Sequence, residues 1–250
     1  MRRVFRTELD PSVVTWMSRW QVELGNKKDQ LNFNLDNFWK DKRDTLKLKT
    51  ALAALKAMAR PKGGCMYCLV SHGTDIDHFF PKKPYYEKAF QWANYVLCCS
   101  DCGRNKSNNL ELDTDGNPFL VNPVEENPWN YLEFEPVTGI ISARYIVEGN
   151  PKGEATAEFL DIESKQWHFE KYIGSYERIK IEIELFLQNP VVSPSTLFES
   201  LLLADEQDIL ERILLHNGSK EPFCLAMQNH HPEVWNYLIE MYIQTFLTQP

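Results

Sequence analysis

Two Cys-x-x-Cys pairs constrain this chain more than any other feature in it. Cys65-Met66-Tyr67-Cys68 and Cys99-Ser100-Asp101-Cys102 are separated by 30 residues. Each pair can set two thiolates on one side of a tight turn, and two such turns close a tetrahedral metal site. Cys65, Cys68, Cys99 and Cys102 are therefore the expected ligands of a structural Zn²⁺. Disulfides are the competing use of such cysteines. The N-terminal Met1-Arg-Arg-Val-Phe-Arg6 lacks the apolar stretch of a secretory signal, so a cytoplasmic address with reduced thiols is expected, which favours metal. Cys98 and Cys224 are left as ordinary buried thiols.

A length of 250 residues, 43% hydrophobic and 25% charged, suits one large or two small globular domains. No apolar run approaches the roughly 18 residues of a membrane-spanning helix, so no membrane partner is expected. The net charge of −8 conceals a polarity. Residues 1–110 carry 19 Lys and Arg against 11 Asp and Glu, while residues 111–250 carry 8 against 24. The basic half can meet phosphate locally, and the acidic half suits a protein partner or simply a solvated face.

The pattern reads as an α+β chain in four parts. Residues 1–60 are a helical segment: Asp10-Pro11 caps and opens a helix through Trp20, and a leucine- and alanine-rich stripe predicts another over 44–60. Residues 61–112 form a compact module, with strands over 73–80 and 94–98, a loop or short helix between them, and a short helix from Ser100 to about 109. Residues 113–150 add a β-hairpin, 131–135 and 139–147, around Pro136-Val-Thr-Gly139. Residues 151–250 are an acidic helical region with helices over 154–161, 163–188, 195–216 and 231–247, a candidate docking region.

Inside the module, Asp77 and His78 are neighbours on a strand, so their side chains diverge. Asp77 can hold Mg²⁺ or Mn²⁺ on one side of a phosphate while His78 acts as general base on the other. Asn94, at the start of the second strand, can orient the imidazole directly or through backbone. Lys106, one turn beyond Gly103, is placed to meet a phosphate. Asp75 is an outer partner of this group or a plain strand-edge carboxylate. Lys82, Lys83 and Arg104 are the candidate nucleic-acid contacts.

Asp75-x-Asp77-His78-x-x-Pro81, then an Asn before an apolar strand, then Cys-x-x-Cys and Lys, resembles the HNH (ββα-metal) endonucleases over residues 65–108. The resemblance implies a zinc-stapled ββα-metal module in which Asp77 binds the catalytic cation, His78 is the base and Asn94 positions it, hydrolysing phosphodiester bonds in DNA before RNA. Phe79-Phe-Pro-Lys82, Asn117-Pro118, Val121-Asn-Pro123 and the helical tail with Pro222-Phe223 look like the HNH subunit of Septu-type and retron-linked anti-phage systems. That implies an ABC-type ATPase as partner. One position departs: the family has Asn or His directly after the last cysteine as a second cation ligand, and here it is Gly103. Asn105 lies about 200° around a helix from it. The competing reading is a zinc-stapled module or adaptor that binds nucleic acid or protein without cutting.

Overall fold

The computed structural model describes residues 1, 3–59, 63–69, 71–108, 110–160 and 166–247, with side chains from 169 onward in the last stretch. It is a mixture of helices and two small antiparallel hairpins, and divides into two compact units: residues 1–128 with 149–160, and 129–148 with 161–250. The expected helical segment and cysteine module thus fall in one unit. The hairpin of 131–147 groups with the C-terminal helices in the other.

In the first unit, α1 (Pro11–Lys27) starts where the Asp10-Pro11 signal puts it. The Asp10 carboxylate accepts from the Ser12 amide at 2.8 Å. The helix runs seven residues past Trp20, because Val13, Met17, Trp20 and Leu24 continue one buried stripe at helical spacing. No helix is expected over 28–44, yet α2 (Leu35–Arg43) forms there. Asn34 caps it by accepting from the Asn37 amide at 2.9 Å, and Leu35, Phe38 and Trp39 are buried. α3 (Leu46–Met58) matches the expected alanine-rich helix, capped by Thr45. The expected last residue of that helix, 60, and the first two of the module lie outside the described residues.

β1 (Asp75–His78) and β2 (Tyr95–Cys98) pair antiparallel with Asp75 opposite Cys98 and His78 opposite Tyr95, and α4 (Ser100–Lys106) follows at once. The first strand is shorter than expected: Phe79 still donates its amide to the Asn94 carbonyl, but at Phe80 the Asn94 side chain takes over from backbone pairing, and the chain enters a loop that is fastened at several points. The Phe90 amide donates to Gln21 Oε1 at 2.9 Å, and Gln21 Nε2 donates to the Tyr86 carbonyl at 2.8 Å. Phe90 packs among Trp20, Phe38 and Trp39 at ring-centroid distances of 5.8, 5.9 and 5.5 Å. Arg6 donates to the carbonyls of Trp92, Ala93 and Tyr95. A pair of four-residue strands is not stable alone; here the helices and this loop close around it. α5 (Pro151–Leu160) completes the unit, with Thr156 Oγ1 accepting from the Val121 amide.

The second unit holds β3 (Leu132–Phe134) paired with β4 (Ile141–Ala143), then α6 (Gln166–Gln188), α7 (Pro194–Ala204), α8 (Leu210–Leu215), α9 (Pro222–His230) and α10 (Pro232–Tyr242). The expected helix over 195–216 is two helices. Asp205 ends the first and accepts from the amides of Ile209 and Leu210, capping the second. Residues 222–230, expected only to separate helices, form α9. Pro222 is its first residue, where a missing N–H costs nothing. Residues 161–165, including the expected start of the long helix, lie outside the described residues. Phe134, Tyr172, Ile179, Ile183, Leu201, Leu210, Ile213, Met227 and Leu238 are buried together in this unit, so these apolar helices cover a core of their own.

Gly73 shows how tightly the cysteine loop closes on the hairpin. Its amide donates to the Gly63 carbonyl at 2.9 Å, and a Cβ added there would lie 2.2 Å from Leu97 Cγ, on a fully buried side chain. Gly73→Ala should therefore destabilise the first unit by roughly 1–3 kcal/mol, measured by denaturant unfolding; unchanged stability would show that Leu97 has room to yield.

Candidate metal centre and the adjoining acid–histidine cluster

The four expected cysteines come together. The sulfurs of Cys65, Cys68, Cys99 and Cys102 all lie within 4.8 Å of one another, and all four residues are buried and free of disulfides. Cys68 and Cys99 stand 3.9 Å apart. A tetrahedral zinc with Zn–S near 2.3 Å spaces its sulfurs by about 3.8 Å, so the cluster is close to the spacing such a metal needs. The first pair sits on a loop whose Cys65 amide donates to the Ser71 carbonyl and whose Met66 amide donates to the Leu97 carbonyl of β2. The second pair opens α4, where Cys99 is the N-cap and its sulfur accepts from the Cys102 amide. Mutual hydrogen bonding among the four thiols, from Cys102 first, pulls Cys68 and Cys99 down, while Cys65 and Cys102 are pushed up, so the cluster shares its protons unevenly until a metal displaces them. Cys98 is not part of the cluster: burial pushes its thiol up, and its sulfur lies beside Gly103.

Directly against this centre lies the acid–histidine pair, and its side chains do diverge. Asp77 turns toward α4 and the cysteine loop. Its Oδ2 accepts from the Tyr67 hydroxyl at 2.7 Å and faces the Lys106 ammonium at 3.0 Å. Tyr67 is the third residue of the first Cys-x-x-Cys, so the loop that carries two thiols also grips the carboxylate. Asp75, on the same face, is half-exposed and meets Arg43 of α2 at 3.5 Å.

His78 turns the other way and is buried. Its ring packs edge-on to Trp39 at 4.4 Å and Tyr95 at 5.2 Å. Nε2 lies 2.9 Å from the Ala89 carbonyl. A carbonyl oxygen only accepts, so Nε2 carries the proton and Nδ1 holds the lone pair. Nδ1 has no hydrogen-bond partner among the described residues. Nor is it among the fully buried side-chain atoms without a hydrogen bond in the described residues. The Ala89 carbonyl also accepts from the Tyr95 hydroxyl at 3.0 Å.

Asn94 does not touch the imidazole. Its carboxamide closes the loop instead: Oδ1 accepts from the Phe80 amide, and Nδ2 donates to the carbonyls of Phe80 and Lys88. It thereby holds the chain on both sides of Ala89 and positions His78 through backbone. Lys106, expected to reach a phosphate, points inward instead. It is 2% exposed, and its ammonium donates to the His78 carbonyl at 2.5 Å besides pairing with Asp77. Gly103 sits on an unbroken helix that begins at Ser100, so Asn105, exposed on another face, does not take its place. Lys83 is exposed, and Arg104 is exposed and paired with Asp101. Lys82 is partly buried with its ammonium 5.5 Å from the centre of the Trp39 ring. Sequence reasoning missed Tyr67, Trp39 and the Ala89 carbonyl. The residue types carry no signal for these roles, which arise from what packs against the hairpin.

Burial first, then the positive charges of Lys82 and Lys106, drive His78 well below the ordinary histidine range. Comparison with known proteins yields no match to a family model, to a curated protein or to a solved structure. Among the described residues, no helix is long and apolar enough to cross a membrane.

Two outcomes are expected. The purified protein should hold one zinc per chain, and Cys68→Ser should lose it and melt the first unit, since structural zinc contributes about 10 kcal/mol or more in small modules. Metal analysis finding no zinc would refute this. Second, the unfolded chain protonates His78 near pH 6.5 while the folded chain keeps it neutral, so this contribution to stability is full above that pH. It falls as the pH drops, by up to about 1.4 kcal/mol per unit. Melting temperature should decline from pH 7 to 5.5, and His78→Gln should flatten the decline; parallel slopes for both proteins would contradict it.

Proposed function

We propose that this protein is a metal-dependent HNH-type endonuclease that hydrolyses phosphodiester bonds in nucleic acid. The observation that carries the reading is the state of His78: one ring nitrogen donates to the Ala89 carbonyl, the other keeps an unpartnered lone pair, and the neighbouring residue is the carboxylate of Asp77. A hairpin and helix clamped by four cysteines, in the order the resemblance implies, supports it further.

Asp77 Oδ2 is engaged by Tyr67 and Lys106, which leaves Oδ1 for a divalent cation. One carboxylate oxygen with phosphate oxygens and water suits Mg²⁺ or Mn²⁺. When bound, such a cation would neutralise charge building on the phosphate. The attacking water gives its proton to His78 Nδ1 as its oxygen bonds to phosphorus. The bond from phosphorus to the leaving sugar oxygen breaks, and that oxygen takes a proton from solvent. Burial opposes an imidazolium at His78, so the base works only when the negative phosphodiester stands beside it to offset that charge.

The finer reading is the nuclease subunit of an anti-phage complex with an ABC-type ATPase, in the cytoplasm, acting on DNA before RNA. It rests on the resemblance of Phe79-Phe-Pro-Lys82, Asn117-Pro118, Val121-Asn-Pro123 and Pro222-Phe223 to Septu-type and retron-linked subunits. The excess of acid after residue 110 offers the ATPase a surface. A second reading, a zinc-stapled binding module or adaptor, is favoured by Gly103, which offers no ligand atom, and by the engagement of half of the Asp77 carboxylate.

Labelled DNA and RNA incubated with Mg²⁺ or Mn²⁺, with and without proteins co-purified from the native operon, should separate the two. Cleavage should occur, His78→Gln should lower it at least 100-fold, and zinc content should stay the same. Gly103→Asn, whose Cβ would sit 3.4 Å from the Cys98 sulfur, should lower the metal concentration needed for half-maximal rate. A wild-type protein that binds nucleic acid but never cuts it would establish the binding module instead.

A further inference from the structure

The basic residues around the acid–histidine cluster are not equivalent. Lys106 is committed to Asp77 and to the His78 carbonyl. Arg43 is committed to Asp75 and Asp44, and Arg104 to Asp101. Lys88 lies on the Phe80 ring at 3.3 Å. Lys83 is exposed to solvent. Lys82 alone combines two properties. Its ammonium is drawn partly out of water and stands over Trp39, the ring that also walls His78. It also has no carboxylate within ion-pair distance among the described residues.

A lysine held this way is costly without a counter-ion, because burial opposes its charge. Its own behaviour agrees: burial lowers its basicity although Asp36, Asp77 and Asp75 all favour the charged form. These carboxylates are near enough to act electrostatically, yet none comes close enough to pair. The ammonium is thus left to an anion that is not part of the described chain, bound beside the Trp39 ring that Lys82 and His78 share.

We infer that Lys82 anchors the scissile phosphate, its ammonium taking a non-bridging oxygen of a phosphodiester beside His78 while Lys83 and Arg104 touch only flanking backbone. This rests on the nuclease reading and deepens it. The ammonium remains on the phosphate as negative charge gathers on its oxygens, which lessens the demand on a cation site that Gly103 leaves one ligand short.

The test uses the full chain and two probes. Bis(p-nitrophenyl) phosphate presents a phosphodiester with no flanking backbone, and a labelled DNA duplex in EDTA reports binding without cleavage. On the small diester with Mg²⁺ or Mn²⁺, Lys82→Gln should lower kcat/KM about 100-fold. Lys82→Arg should stay within about five-fold, since it preserves a charged donor. In EDTA, Lys82→Gln should weaken DNA binding about ten-fold, clearly more than Lys83→Gln does. Melting temperature and zinc content should hold in all three variants, because Lys82 makes no ion pair to lose. An active wild type whose Lys82→Gln variant hydrolyses the small diester within two-fold of normal overturns the assignment and leaves the nuclease reading intact. A wild type inactive toward both diester and nucleic acid ends the nuclease reading. The metal-free DNA binding then decides Lys82 as a phosphate contact, and equal effects of the Lys82 and Lys83 substitutions would overturn it.

Discussion

Four sulfurs within 4.8 Å of one another hold together segments that begin 34 positions apart in the chain. The dependence of everything nearby on that contact is physical. β1 and β2 offer only four residues each, too few for a hairpin to persist in water. The cysteine turns clasp both ends of this hairpin region: the first donates its Met66 amide to β2, and the second is the cap of α4. Since Tyr67 belongs to the first turn and Lys106 to the helix opened by the second, closing the cluster brings both onto Asp77. The proposed catalytic carboxylate is thus assembled by the same contact that holds the fold.

Lys106 illustrates why a buried ion pair needs more than two charges. Its ammonium has left water almost entirely, and a lone partner would not repay that loss. The His78 carbonyl supplies a second acceptor, and the Tyr67 hydroxyl shares the carboxylate. The result ties the backbone of the proposed base to the side chain of the proposed cation ligand. Removal of either charge leaves the other stranded in a closed site. The pair therefore acts as a hinge pin between two residues that, in the proposed mechanism, face opposite sides of one phosphate, and it is unsuited to visiting a substrate itself.

The acidic helices of the second unit bear on partner binding in a narrower way than their number suggests. Helices that bury Tyr172, Ile183, Leu201, Leu210 and Leu238 need no partner to cover those side chains. A docking role for this unit must come from surface charge, which steers and selects partners but is weakened by salt.

The cysteine spacing, the Asp77-His78 adjacency and the Asp10-Pro11 cap were readable from sequence because each works through neighbours close along the chain or through a spacing rule that chemistry imposes. Helix α1, the alanine-rich α3, the hairpin strands and the four sulfur ligands all follow from such local rules. The tertiary structure alone decided what the buried residues do. Lys106 and Asn94 have the same composition whether they face a phosphate or the interior; only packing reveals that one grips Asp77 and the other closes the loop around Ala89. Trp39 gave no sign of its place against His78: Leu35, Phe38 and Trp39 at helical spacing mark a buried face but not what that face packs on. Pro222 lies between the expected helices, yet it opens one of its own, because proline's meaning depends on whether the chain before it or after it is helical. Sequence determines the chemistry available at each position, and the long-range contacts determine which atoms that chemistry can reach.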